Sequence, residues 1–130
     1  MKEIYLAGGC FWGMEGYFSQ IDGILDTSVG YANGQVETTN YQLLKQTDHA
    51  ETLYLAYDET RINLREILLY YFRVIDPLSV NQQGPDKGRQ YRTGIYYTDE
   101  VDLPTIEQVM TEQSQLFGGR PLAVEVEPLA

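Results

Sequence analysis

One cysteine, one histidine and one tryptophan in 130 residues set the first limits on what this chain does. A lone cysteine excludes an intramolecular disulfide, and one Cys with one His do not make an ordinary zinc site. Neither a metal nor a bound cofactor is therefore expected. Basic residues are scarce as well, nine Lys and Arg against nineteen Asp and Glu, for a formal charge of −10. A phosphate backbone or an anionic membrane surface would repel such a chain, which argues against nucleic acid or membrane as a partner. No apolar run approaches the length of a membrane span. The start, Met1-Lys2-Glu3 with a short apolar stretch to Ala7, lacks the h-region of a signal peptide, which predicts a soluble cytoplasmic protein. The length suits a single domain, residues 1–130, with one core, and a monomer is expected.

What is present is concentrated around that single cysteine. Glu3-Ile4-Tyr5-Leu6-Ala7 alternates like a half-buried strand, Gly8-Gly9 permits a sharp turn, and Phe11 to Ser19 can run as a helix. Cys10 then falls at or just before a helix N-terminus, where unpaired N–H groups and the positive dipole end favour a thiolate and make the sulfur a nucleophile. A lone cysteine is otherwise most often a small buried hydrophobe. Phe11 and Trp12 are too large for both to enter a small core, so one or both are expected to wall a pocket beside the sulfur. Gly13 and Gly16 each cost about 1 kcal/mol of helix propensity, a cost tolerated where backbone must approach something closely.

Further along, Ile24 to Ala32 reads as a strand, with Ile24, Asp26, Ser28 and Gly30 on one face and Leu25, Thr27, Val29 and Tyr31 on the other. Asn33-Gly34 is a turn signal. Gln35 to Asp48 reads as a long, polar connection, with a short helix within Thr38 to Leu44; loops of that length tend to be functional. His49-Ala50-Glu51 leads into an alternating strand, Thr52 to Tyr57, and leaves Glu51 at the mouth of a sheet element. Asn63 and Glu66 form a capping-box pattern ahead of a helix whose Leu64, Ile67, Leu68, Tyr71, Val74 and Ile75 recur at helical spacing. Asp76-Pro77 stops it. Leu78 to Gln90 lacks periodicity and reads as a second long loop, followed by a strand over Tyr91 to Tyr97. A helix over Pro104 to Phe117 comes next, with Ile106, Val109, Met110 and Phe117 inward, then a last strand over Leu122 to Val126. The order predicts an α+β fold, a two-layer α/β sandwich with a ferredoxin-like βαββαβ core, an added helix and strand, and long coil loops.

Gly9-Cys10-Phe11-Trp12-Gly13, followed by Glu15, resembles the signature of the type A peptide methionine sulfoxide reductases. Two later stretches carry the same resemblance. His49-Ala50-Glu51 is similar to the family's Gly-His-Ala-Glu, with Asp48 in place of the glycine. Gly84-Pro85-Asp86-Lys87-Gly88-Arg89-Gln90-Tyr91 is similar to its Gly-Asn-Asp-x-Gly-x-Gln-Tyr, with Pro85 in place of the asparagine. The resemblance spans roughly Lys2 to Glu127, and the family's usual continuation after the last strand is missing. It implies an α/β sandwich with much coil and a reductase that repairs methionine S-sulfoxide, free or in oxidised proteins. Cys10 would be the nucleophile and Glu51 the acid. Phe11, Trp12, Tyr41, Asp86 and Tyr91 would form the substrate region.

The chemistry gives each residue type a reason. Attack at sulfur needs a thiolate, the departing oxygen needs a proton, and a carboxyl held partly desolvated near a thiolate favours its neutral acid form. Phenols of Tyr41 and Tyr91 can hydrogen-bond the same oxygen, and Phe11 and Trp12 can enclose the methyl group. Attack leaves Cys10 as a sulfenic acid, and with no second cysteine an external thiol must reduce it, thioredoxin or a small dithiol. Taken singly, Glu51 reads as a solvated carboxylate and the tyrosines as packing residues. Two other functions are open: a thiol hydrolase with His49 as its base, and a peptide-binding module without turnover.

Overall fold

The computed structural model describes residues 2–32, 50–83, 86–88 and 91–129. Tyr41, His49, the Asn33-Gly34 turn and the helix expected within Thr38 to Leu44 lie outside the described residues.

Among the described residues five strands form one mixed sheet. They are β1 (Lys2–Gly8), β2 (Ile24–Ala32), β3 (Ala50–Tyr57), β6 (Thr93–Tyr97) and β7 (Glu125–Pro128), in the spatial order β2-β3-β1-β6-β7. Neighbours run antiparallel except β6 and β7, which are parallel. The remaining pair, β4 (Gln82–Gln83) and β5 (Asp86–Lys87), is a small hairpin of its own. The helices are α1 (Phe11–Phe18), α2 (Leu64–Val74) and α3 (Leu103–Leu116), the last entered through a 3₁₀ turn at Glu100–Asp102. This is the expected α+β class.

Strand alternation divides the sheet into two faces. Ile4 and Leu6 of β1, Leu53, Leu55 and Tyr57 of β3 and Ile95 of β6 are buried in the main core with α2 and α3 residues. Tyr5, Ala7, Ala50 and Tyr96 form a smaller cluster on the opposite face. Helix α2 belongs on the core face because Leu64, Ile67, Leu68, Tyr71 and Phe72 fall on one stripe, all of them buried. Its start is the capping box the sequence predicts: Glu66 N donates to Asn63 Oδ1 at 2.8 Å and Asn63 N to Glu66 Oε1 at 3.3 Å. Such a cap contributes about 1 kcal/mol. Arg65 of α2 forks onto both carboxylate oxygens of Glu112 in α3 and ties the two helices together.

Several local expectations are corrected. A bulge between Ile24 and Asp26 turns Ile24 to the side of Val29, so both pack on the main core while Leu25 is left exposed. Phe117 is the C-cap of α3 and 37% exposed, not a buried inner-face residue. The last strand begins at Glu125 rather than Leu122; Leu122 and Val124 pack on the core before pairing starts. The stretch read as an unstructured second loop carries the β4–β5 hairpin.

Candidate active site

The chain ends that carry the candidate residues meet at one edge of the sheet because of strand register. Ala7 pairs with Thr52 and Gly8 with Thr93, so β1 leaves the sheet level with the start of β3 and the start of β6. Glu51 precedes Thr52, Tyr91 lies two residues before Thr93, and Cys10 lies two residues after Gly8. Residues far apart in sequence thus arrive together. Glu51 is the second residue of β3, at the start of the strand.

The turn into α1 depends on Gly9. Its φ of 88° lies in the left-handed region, and a Cβ there would stand 2.8 Å from Gln83 Cβ. The close approach expected of Gly13 and Gly16 is not found there; neither has a described neighbour within 4 Å of a built Cβ. Gln83 is itself pinned, its Oε1 accepting from Asp76 N at 2.8 Å and its Nε2 donating to Asp76 O at 3.0 Å. The β4–β5 hairpin is thereby braced between the end of α2 and the turn that carries Cys10. Sequence pattern could not reveal it, since two-residue strands have no period to read.

Cys10 is the N-cap of α1, with extended backbone (φ −63°, ψ 117°) and no side-chain capping bond, and it is exposed. The helix N-terminus therefore presents its positive end where the sulfur sits. Glu51 is only 3% exposed, and its Oε1 accepts from Phe11 N at 3.4 Å, a long bond that ties the carboxyl to the residue after the cysteine. A cavity of ≈ 420 Å³ is lined by Cys10, Phe11, Trp12, Tyr31, Glu51 and Tyr91. Phe11 is buried, whereas Trp12 is 63% exposed. Their rings meet edge to face at 5.2 Å and 74°.

Five of the seven residues singled out from sequence thus converge: Cys10, Glu51, Phe11, Trp12 and Tyr91. Tyr41 lies outside the described residues, and Asp86 pairs through its backbone with Gln83 in the hairpin. Tyr31 was not anticipated. It is the cross-strand partner of Glu51 and packs its ring 5.6 Å from that of Phe11. The face assignment of β2 marked it as a side-chain position, but only the β2–β3 register puts it beside the carboxyl.

An exposed sulfur, a buried carboxyl, phenols and an aromatic wall around one cavity can bind a small apolar group, attack it and deliver a proton. The family model for peptide methionine sulfoxide reductase matches residues 2–130. The reduced form of Mxr1 from Saccharomyces cerevisiae superposes with a TM-score of 0.91 at 37% identity, covering 99% of this chain and 76% of that one. Methionine sulfoxide reductase A of Corynebacterium diphtheriae gives 0.87 at 29% identity, covering 99% of this chain and 65% of its own. Mxr1 in complex with Trx2 gives 0.74 at 30% identity, covering 99% and 76%. On the match across nearly its whole length, the chain belongs to the peptide methionine sulfoxide reductase family, with type A enzymes among its structural relatives.

Proposed function

We propose that this chain reduces the S epimer of methionine sulfoxide, free or in oxidised proteins, with Cys10 as nucleophile and Glu51 as proton donor. The observation that carries the reading is the single cavity where the exposed thiol of Cys10 and the buried carboxyl of Glu51 meet an aromatic wall. Methionine sulfoxide reduction is the reaction of the family to which the chain belongs.

The Cys10 thiolate attacks the sulfoxide sulfur while Glu51 gives a proton to the oxygen. The oxygen passes to the Cys10 sulfur as methionine departs. Methionine sulfur is reduced by two electrons and Cys10 is oxidised to sulfenic acid. Trp12 and Phe11 enclose the methyl group, and the Tyr91 phenol hydrogen-bonds the oxygen as charge develops on it. Tyr41 and Asp86 complete the substrate region by family resemblance.

An external thiol then condenses with the sulfenic acid, releasing water and leaving a mixed disulfide on Cys10, and a second thiol restores the enzyme. A thioredoxin-type dithiol fits this step, and the complex of the related Mxr1 with Trx2 supports it. A lone cycling thiol also suits the reducing cytoplasm. Among the described residues no helix is long and apolar enough to cross a membrane. Residues 1–130 act as one catalytic domain.

The test is turnover of a methionine-S-sulfoxide peptide with excess dithiothreitol. Wild type is expected to convert it to the methionine peptide and to give a dimedone adduct on Cys10 when thiol is withheld. Binding of the peptide without turnover would replace this reading with the peptide-binding module.

A further inference from the structure

The hydroxyl of Tyr71 sits where β1 and β6 begin to part. Tyr71 is a core residue of α2 with no exposed surface, yet its hydroxyl reaches the sheet backbone rather than packing against apolar atoms. It donates to Ala7 O at 2.5 Å and accepts from Gly94 N at 3.1 Å, with Gly94 O a further 3.3 Å neighbour. Ala7 and Gly94 are cross-strand partners. Cys10 lies three residues beyond Ala7, and Tyr91 lies three residues before Gly94.

The strand at Gly94 is held from its other face too. A Cβ on Gly94 would stand 2.5 Å from Tyr96 Oη, so the Tyr96 ring lies directly over a position that only glycine fills. Tyr96 Oη donates to Glu125 Oε2 at 2.9 Å, and Arg92 Nε donates to the same oxygen at 3.1 Å. Gly94 is therefore pressed between two tyrosines, one from the helix layer and one from the back of the sheet. A segment clamped this way passes a displacement on to its neighbours instead of absorbing it.

We propose that Tyr71 is a positioning residue for the reduction step, its hydroxyl fixing the gap between the Ala7–Cys10 turn and the Tyr91–Gly94 segment and so the placement of the Tyr91 phenol against substrate oxygen at Cys10. The proposal rests on the reading of the site given above. Burial, and then the neighbouring Tyr96 phenol, hold the Tyr71 hydroxyl well above the ordinary tyrosine pKa near 10, so it remains both donor and acceptor through the working range. Without the hydroxyl, a buried carbonyl and a buried amide lose a shared partner, and the strand ends must move to recover one.

Tyr71→Phe removes one oxygen and keeps the ring. Steady-state kinetics on a methionine-sulfoxide peptide with dithiothreitol would compare wild type, Tyr71→Phe, Tyr91→Phe and the double variant, each assayed below its own melting midpoint so that lost fold is not read as lost placement. Tyr71→Phe is expected to lower kcat roughly tenfold with KM changed less than about twofold, and in the Tyr91→Phe background its effect should shrink to under about twofold. Full activity in Tyr71→Phe, or independent effects that multiply in the double variant, would overturn the proposal. Cys10→Ser is the parallel arm. If it retained turnover, the reading of the site would fall and the positioning role with it; if it is inactive and Tyr71→Phe is fully active, the positioning role alone falls.

Discussion

Each end of the sheet buries a carboxyl, and the two surroundings differ in ways that separate chemistry from architecture. At one end Glu51 faces a cavity shared with the Cys10 sulfur and an aromatic wall. At the other, Asp102, 6% exposed, is ion-paired with Lys2 and lies near the Tyr57 phenol. Lys2 and Tyr57 are themselves cross-strand partners, so this second cluster closes the far ends of β1 and β3 as Glu51 and Cys10 open the near ends. Burial of a carboxyl therefore does not mark a site by itself. A cation beside the carboxyl makes a brace, whereas a thiol and an open volume beside it are what the proposed chemistry requires.

Exchanging each carboxyl for an amide is the sharpest way to break that contrast. Glu51→Gln is expected to lower kcat by about 10²-fold or more, the range for a lost general acid, with the urea midpoint little changed. Asp102→Asn should keep kcat within about twofold of wild type and lower the unfolding free energy by about 2 kcal/mol as Lys2 loses its partner. Kinetics and urea denaturation on the same preparations measure both. Equal losses of activity in the two variants would erase the distinction.

The residues legible in sequence were those whose geometry is local. Gly8-Gly9 before Phe11-Trp12 was enough to place Cys10 at the N-cap, and the Asn63–Glu66 pair was enough to start α2. What pattern could not supply was register. Tyr31 joins the site through its pairing with Glu51, and the β4–β5 hairpin is tied to the end of α2 by the Gln83 amide on Asp76, a contact with no periodic signature. The last strand starts later than its apolar pattern predicts because Leu122 and Val124 look like strand residues. They are core residues of the approach, and the pairing itself runs through the polar stretch Glu125–Pro128. Family resemblance brought Glu51 and Tyr91 to one reaction, and the fold gives the physical reason they meet.

A smaller effect sharpens the site end. Trp12, largely exposed, walls the cavity through its indole, and Trp12→Ala is expected to raise KM for a methionine-sulfoxide peptide about tenfold while kcat falls less, as for a lost apolar contact in a binding pocket. An unchanged KM would remove Trp12 from the substrate region.

The smallest effect sharpens the far end and appears only at alkaline pH. Burial first, then the Asp102 and Glu59 carboxylates, hold the Tyr57 phenol above its ordinary value near 10. Above about pH 10 the unfolded chain loses a proton that folded Tyr57 keeps, so the unfolded state binds fewer protons and stability falls as pH rises. The stabilisation is complete below pH 10 and is lost above it, by up to about 1.4 kcal/mol per pH unit for one such group. Tyr96, raised by burial and then by Glu125, adds to the slope in the same direction. Tyr57→Phe should flatten urea midpoints between pH 9.5 and 11 by about one such increment and leave turnover at neutral pH unchanged.

The central claim, that the thiol and the carboxyl act on one substrate in one cavity, is tested most directly by a single turnover without reductant. Enzyme mixed with excess methionine-S-sulfoxide peptide is expected to form one equivalent of reduced, methionine-containing peptide per chain in a burst, with Cys10 trapped as sulfenic acid, a much slower burst in Glu51→Gln and none in Cys10→Ser. A burst that survives Cys10→Ser, or one that Glu51→Gln leaves at the wild-type rate, would contradict it.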